Sequence, residues 1–577
     1  MTSPIDTAVI FVFSAFVLVI GFLFARTGRN MKSFFAGGEA VPWFIGGLSL
    51  FMSFFSAGTF VAWGSIAYKY GMVSVAIQWT MCLGGLITAF LLAPRWKKTG
   101  ALTAAEFIRQ RLGAPVQKFY VYIFLLVSLF NKGAILYPVA KLVSVSLGFP
   151  LTGCTIVLGL MMIAYTAIGG LWAVMVTDIL QFVILTAAVL TVLPLSLTAV
   201  GGWTNFTANV PAGFFSLHNG EYTIGFIMAF ALYHISYIGG NWTFVQRYTS
   251  VESPSSAKKV ALLFAALYLI SPVIWMLPPM IYKSINPSLT GLNTENAYLE
   301  VCRLVLPPGL MGLMLTGMYF STSATANTTL NVTSAVITND IYKGIINPHA
   351  SDKKLIQVAR LSGLLLGSAM IGIALLVPAA GGMIEVVLSI AAITGGPSLL
   401  PSIWALFSRK LEGKTAYIIS GISLGVNLLF KFIIPLISTL KLTRSQEMLL
   451  GVGLPFIMLL VYEFIIAARK GPSEDYLRYQ VFRKQQQELQ VHEEEAVAVR
   501  SQNLFGLRVI AFALAFTGLL LYILCILAAT GKTLVALIAT AVLLTAIIPL
   551  RAARKLKRSV NIPAPEKRMQ EAGRQIL

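Results

Sequence analysis

Apolar runs of about 20 residues recur along the chain from Ile5 to Leu550. Each is long enough, as a helix, to cross a hydrocarbon layer of roughly 30 Å. No other feature restricts the fold so strongly. The 577 residues are 57% hydrophobic and only 11% charged, against about a quarter charged in an ordinary soluble domain. Length alone would suggest about four soluble domains. The density of apolar runs instead implies one body embedded in a lipid bilayer, an all-α integral membrane protein of about 15 transmembrane helices. The first run, Ile5 to Ala25, has no basic region ahead of it and reads as a retained span, not a cleaved signal.

Charge placement tests that count. With the N-terminus outside and loops alternating, the inside loops hold 33 Lys and Arg and the outside loops 6, while Lys132, Lys141, Lys431 and Arg508 fall within spans. A missed or extra span would scramble this partition. The expected orientation is therefore N-terminus outside and C-terminus cytoplasmic, in the plasma (inner) membrane. The net charge of +21 is then a property of loops facing anionic lipid, and no concentrated basic face points to nucleic acid. Four cysteines and four histidines lie scattered, with no CxxC pair, so neither a zinc site, a disulfide framework nor any other cofactor is expected. No nucleophile–base pair or metal cluster suggests an enzyme.

Two spans are interrupted at their centres. The second, near 42–68, holds Phe55-Ser56-Ala57-Gly58-Thr59, and the seventh, near 223–249, holds Gly239-Gly240-Asn241. Irregular backbone persists in a bilayer only where it lines a cavity or is buried in protein. Spans two to six and seven to eleven form two sets of five, and an odd number inverts the second set. Interrupted helices at matching places in inverted halves point to the central site of a secondary transporter; the alternative is that the glycines serve close helix packing. The expected organisation is an N-terminal span and loop (1–41), a first five-helix repeat (42–222) and a second (223–410). Two peripheral spans (411–470), a charged cytoplasmic linker (471–502) and two appended spans with a basic tail (503–577) follow.

The ninth span is unusually polar. Ten of the fourteen residues from Ser321 to Ser334 carry a hydroxyl or an amide, and Ser321, Thr325 and Thr328 share one helical face. Hydroxyl oxygens facing carbonyls freed by a broken helix, as at Met52 to Phe55, suit a hard cation such as Na⁺; packing with hydroxyls bonded to their own helix is the alternative. Asp178, in the sixth span, is a buried carboxylate able to neutralise a cation, relay a proton or make a structural hydrogen bond, with Gln181 one turn on. Lys132, in the fourth span, could meet a carboxylate on a solute, pair with an acidic side chain or snorkel to an interface. Lys141 is expected to snorkel, and Glu385 and Lys431 receive no role.

The segments Gly169–Gln181, Asn241–Lys259 and Thr328–Lys343, together with Phe35–Gly46 and Thr103–Gly113, resemble the sodium:solute symporter family. The resemblance runs from about residue 10 to 470. It implies a core of two inverted five-helix repeats with flanking helices. It also implies a main sodium site at Met52, Phe55, Ser321 and Thr325, and a second cation site at Asp178, Asn327 and Thr328. Ser56, Thr59, Gln78, Lys132 and Asn241 map to substrate-contacting positions. Many members carry a serine–hydroxyl pair where this chain has Ala324-Thr325, so one ligand hydroxyl is missing. The function implied is sodium-coupled symport of a small polar solute, carboxylate-bearing (a sugar acid or organic acid) or a sugar, by alternating access. A proton-coupled or uncoupled transporter is the alternative, and a membrane solute sensor a remote one. The partners implied are Na⁺, the solute and the bilayer.

Overall fold

The computed structural model describes residues 3–25, 41–101, 103–165, 171–489, 493–528 and 531–560, and no strand occurs among them. The side chains of some helical residues, among them Lys132, Ala324, Thr325, Asn327 and Thr328, lie outside the described set. In chain order the principal helices are α1 (Pro4–Ala25), α2 (Trp43–Ser53), α3 (Gly64–Tyr70), α4 (Val73–Ile87), α5 (Ala114–Leu147), α6 (Leu171–Ala199), α7 (Ile224–Gly240) and α8 (Trp242–Thr249). They continue with α9 (Pro254–Ile285), α10 (Leu310–Val336), α11 (Asp352–Leu376), α12 (Met383–Trp404), α13 (Gly413–Leu428), α14 (Arg444–Val461), α15 (Glu474–Leu489), α16 (Glu493–Leu527) and α17 (Lys532–Thr545). Among the described residues nine helices are long and apolar enough to cross a membrane, or ten if α7 and α8, bent by 54°, form one span. The protein is a polytopic α-helical membrane protein.

Small residues set how closely these helices pack, as expected where lipid supplies no hydrophobic drive between helices. On α4, a Cβ at Gly84 would lie 3.0 Å from the backbone of His234, and one at Gly85 would lie 2.8 Å from Phe264. Adjacent glycines thus wedge α4 between α7 and α9. On α14, a Cβ at Gly451 would come within 1.8 Å of the Ala392 carbonyl, so α12 and α14 meet backbone to backbone.

Asp6 of α1 caps another helix. Its carboxylate accepts from the backbone N–H groups of Gly309 and Gly312 at 2.7 and 2.9 Å, where the positive end of the α10 dipole favours a negative charge. The C-terminal pair α16–α17 packs on α1 and α6, burying Phe13, Met175 and Ile184 with Leu514 and Leu521 in a core of their own. The first part of the charged linker is helical, as α15. Arg111 is buried beneath it, donating to the Ser408 and Leu411 carbonyls at 2.7 and 3.2 Å, with the Tyr476 ring 5.1 Å away.

Candidate functional site

The two interrupted helices are built differently. α2 stops at Ser53, and residues 54–56 are non-helical before helix resumes toward a π-helical turn at Thr59–Trp63. The Phe55 carbonyl accepts from the Ser321 hydroxyl at 2.8 Å. The Ala57 N–H donates to the Thr322 hydroxyl at 3.1 Å, and that hydroxyl donates to the Met318 carbonyl at 2.8 Å. The Met52 carbonyl accepts the Phe55 N–H at 3.0 Å. Two hydroxyls of α10 therefore hold the break in α2. Of the four residues expected around sodium, the structure joins Phe55 to Ser321 and sets Met52 in the same turn; the Thr325 side chain lies outside the described residues.

In the second break α7 ends at Gly240, Asn241 is extended (φ −64°, ψ 129°), and α8 begins at Trp242. The Asn241 side chain accepts from the Thr243 N–H at 3.0 Å as the N-cap of α8. The carbonyls freed at the end of α7 have aromatic donors: the Trp96 indole N–H to Gly239 at 2.6 Å and the Tyr248 hydroxyl to Ile238 at 3.0 Å. The glycines act through close packing, since a Cβ at Gly239 would lie 2.1 Å from Leu92 Cδ1 and one at Gly240 2.8 Å from Ile403 Cδ1. Asn241 makes the turn.

Both breaks line one cavity of about 220 Å³. Ser56, Gly58 and Thr59 contribute from the first and Asn241, Trp242 and Thr243 from the second. α5 contributes Phe124, Ser128 and Asn131, α7 contributes Tyr233, His234 and Tyr237, and α12 contributes Met383, Thr394 and Ser398. Of the expected solute contacts, Ser56, Thr59 and Asn241 line it. Gln78 is buried in α4 and donates back to the Ser74 carbonyl at 3.2 Å, away from the lining. Lys132 lies outside the described side chains. The aromatic wall and His234 were not foreseen. Their signal was present in the row Phe230, Tyr233, His234, Tyr237, whose three- and four-residue spacing marks one helix face.

Asp178 and Arg247 also line the cavity. Ser49 stands between them, donating to the Asp178 carboxylate at 2.7 Å and lying 3.4 Å from Arg247 Nε. Arg247 also donates to the Thr243 carbonyl at 3.0 Å. Asp178 is thus bonded to α2, with Arg247 of α8 on the far side of Ser49. The side chains of Asn327 and Thr328, its expected partners at a second cation site, are outside the described residues.

Where α12 begins, Met383 lines the cavity and packs on Gly58, its Cε 2.3 Å from where a Cβ there would lie. Ile384 lines both the cavity and a separate recess containing Tyr70, Glu221, Glu295, Glu385 and Arg444. Glu295 is buried and accepts from Lys141 at 2.6 Å, the Tyr137 hydroxyl at 3.1 Å and the Met383 N–H at 3.2 Å. Lys141 therefore does not snorkel: a buried carboxylate within reach holds it. Glu385 and Lys431 also have partners, in a chain of ion pairs through Arg444, Glu221 and Glu447 at 2.7–3.4 Å.

The family model for the sodium:solute symporter family matches residues 34–423. The chain belongs to the sodium:solute symporter family. It is 26% identical over 471 residues to the sodium/glucose cotransporter of Vibrio parahaemolyticus, covering 74% of this chain and 86% of that protein. It is 28% identical over 428 residues to the human sodium/iodide cotransporter, covering 70% of this chain and 65% of that one. The fold is that of a Na⁺-coupled sialic acid symporter solved with substrate bound, at a TM-score of 0.69 and 19% identity over 82% of this chain and 99% of the other. This symporter family member is a multi-pass membrane transporter and not an enzyme.

Proposed function

We propose that the protein is a sodium-coupled symporter that carries a small polar organic solute, a sugar or a carboxylate-bearing molecule such as a sugar acid or organic acid, by alternating access. The observation that carries this reading is the contact of the Phe55 carbonyl with the Ser321 hydroxyl, 2.8 Å apart, in a break whose neighbouring residues Phe54 and Ser56 line a cavity shared with the second broken helix. Both oxygens are hard ligands. A Na⁺ entering between them would take the lone pairs that now share one proton, with Met52 and Thr325 completing the shell. The ion would then fix the break in α2 against α10 and stabilise the solute-ready cavity. Each charge moving through 100 mV contributes about 2.3 kcal/mol, equivalent to a solute gradient of roughly fiftyfold.

The same reading takes about fifteen spans, two inverted repeats at 42–222 and 223–410, the N-terminus outside and the C-terminus in the cytoplasm of a plasma-membrane protein. The ion-pair recess around Glu295 and Arg444 then faces outside, and the Asp178–Arg247 end faces the cytoplasm. The distribution of Lys and Arg supports this orientation. The test is uptake into proteoliposomes under separate Na⁺ and H⁺ gradients. Thr325→Ala is expected to abolish sodium-stimulated uptake; undiminished sodium-driven uptake in that variant would remove the assigned site. Proton coupling is the second reading, favoured by Asp178, a buried carboxylate on the cavity wall. Uptake driven by the H⁺ gradient alone would establish it.

A further inference from the structure

His234 carries an inference that rests on this symport reading and goes past it to the chemistry of the solute. Gly84 brings α4 against α7 closely enough that the Thr80 hydroxyl lies 2.6 Å from His234 Nδ1. The same hydroxyl lies 2.5 Å from the Ile77 carbonyl. A carbonyl only accepts, and a hydroxyl has one proton. Two oxygens at 2.5 Å need that proton between them, so Thr80 donates to Ile77 and must accept from Nδ1–H. The ring is packed edge-on against Phe230, with centroids 4.3 Å apart, and no carboxylate touches it among the described residues. A buried unpaired imidazolium would be expensive there, so the ring is neutral. Its second nitrogen, Nε2, then carries a bare lone pair. His234 lines the cavity, and Nε2 has no protein partner among the described residues.

We propose that His234 is a specificity-determining residue whose Nε2 accepts a hydrogen bond from a hydroxyl or N–H of the transported solute, and that Thr80 positions it by fixing the tautomer. The site therefore selects hydroxylated solutes: sugars, sugar acids and hydroxy acids. A donor-free anion would meet a lone pair where it needs a proton. Desolvating Nε2 with no donor to meet it is unfavourable, so the discrimination is built into the cavity wall. Tyr233 and Tyr237, stacked on each other with centroids 5.2 Å apart, line the cavity beside His234.

The experiment uses the purified full-length protein and follows thermal stabilisation in NaCl and in choline chloride. The probes are matched pairs: L-lactate with propionate, and D-glucose with its fully O-methylated methyl glucoside; D-glucuronate and iodide complete the set. In the wild type, Na⁺-dependent stabilisation is expected from at least one hydroxylated probe, at about tenfold lower concentration than from its donor-free counterpart. His234→Phe should erase that preference and His234→Gln, which restores an acceptor, should recover most of it. Thr80→Val should weaken the preference severalfold. A preference that survives His234→Phe would overturn the proposal, as would one that is unchanged in Thr80→Val should His234→Phe fail to fold. A wild type that answers donor-free probes as well as hydroxylated ones, or no hydroxylated probe, would also overturn it. These outcomes leave symport standing if Na⁺ alone stabilises the protein over choline. Absence of any sodium response in the wild type would instead strike the underlying reading.

Discussion

The two broken helices meet the same physical demand with opposite chemistry. Each leaves backbone groups that lipid cannot satisfy. At the end of α7 the freed carbonyls take protons from Trp96 and Tyr248, large side chains fixed by packing. An indole N–H has no lone pair to offer a cation. At the end of α2 the partners are Ser321 and Thr322 of α10, small hydroxyls that either donate or accept. The second break is finished by the protein itself; the first is finished by groups that a metal ion can take over. The contrast supports assigning the ion to the first break and the solute to the cavity between the two.

Ser321→Ala tests that contrast most severely. It removes a proposed ligand and leaves the Phe55 carbonyl without its partner, so sodium-stimulated uptake is expected to fall more than tenfold. The matching readout is the Na⁺ concentration for half-maximal thermal stabilisation, which should rise beyond reach. If Ser321→Ala retains the wild-type sodium response, the first break is no more an ion site than the second.

Arg247 joins the two regions, reaching from α8 to Ser49 of α2 and, through its field, to Asp178. Replacing it with Met leaves Asp178 buried without its compensating charge. Ser49 stands between the two charges, so the cost is expected to fall below the figure of about 3–5 kcal/mol for a directly paired buried charge, and still to lower the melting temperature. Adding Asp178→Asn should restore most of the loss. A single variant as stable as the wild type would show that the two broken helices are not coupled through this charge.

Much of this was legible in the sequence because bilayer physics is local. Span length, basic loops and interrupted centres are read along the chain and mark Phe55, Ser56, Thr59 and Asn241 at the breaks, as the hydroxyl-rich span marks Ser321; their assignment to sodium and solute is what the family resemblance implies. What could not be read is pairing across distant segments. Lys141 looked like an interfacial lysine because Glu295 lies 154 residues away and reaches it only through a short 3₁₀ turn at Gly291–Asn296. The glycines at 239 and 240 looked like the cause of a break, yet their backbone is ordinary and their role is contact with Leu92 and Ile403. His234 looked like an isolated histidine until Thr80 fixed its tautomer.

Trp96→Phe is the control for the second break. It keeps an aromatic ring, smaller than the indole, and removes the donor to the Gly239 carbonyl, leaving one buried acceptor unpaired at an expected cost of about 1–3 kcal/mol beyond that of the lost volume. Stability should fall while the sodium concentration for half-maximal response stays where it was. A shift in sodium response as large as that of Ser321→Ala would erase the distinction between the breaks.

The smallest effect is expected at Asn241 itself. Its side chain caps α8 through the Thr243 N–H at 3.0 Å, and loss of such a cap costs about 1 kcal/mol. Asn241→Ala should therefore lower stability only slightly. Asn241→Asp and Asn241→Ser both keep a capping oxygen and should match the wild type in melting temperature. They differ in what they leave for a solute, because only the amide also offers N–H donors to the cavity that Asn241 lines. If Asn241 serves only as a cap, the Asp and Ser variants will transport as the wild type does. If it also donates to the solute, both will show a raised KM at unchanged stability. That separation of KM from melting temperature distinguishes a break kept for shape from one kept for binding.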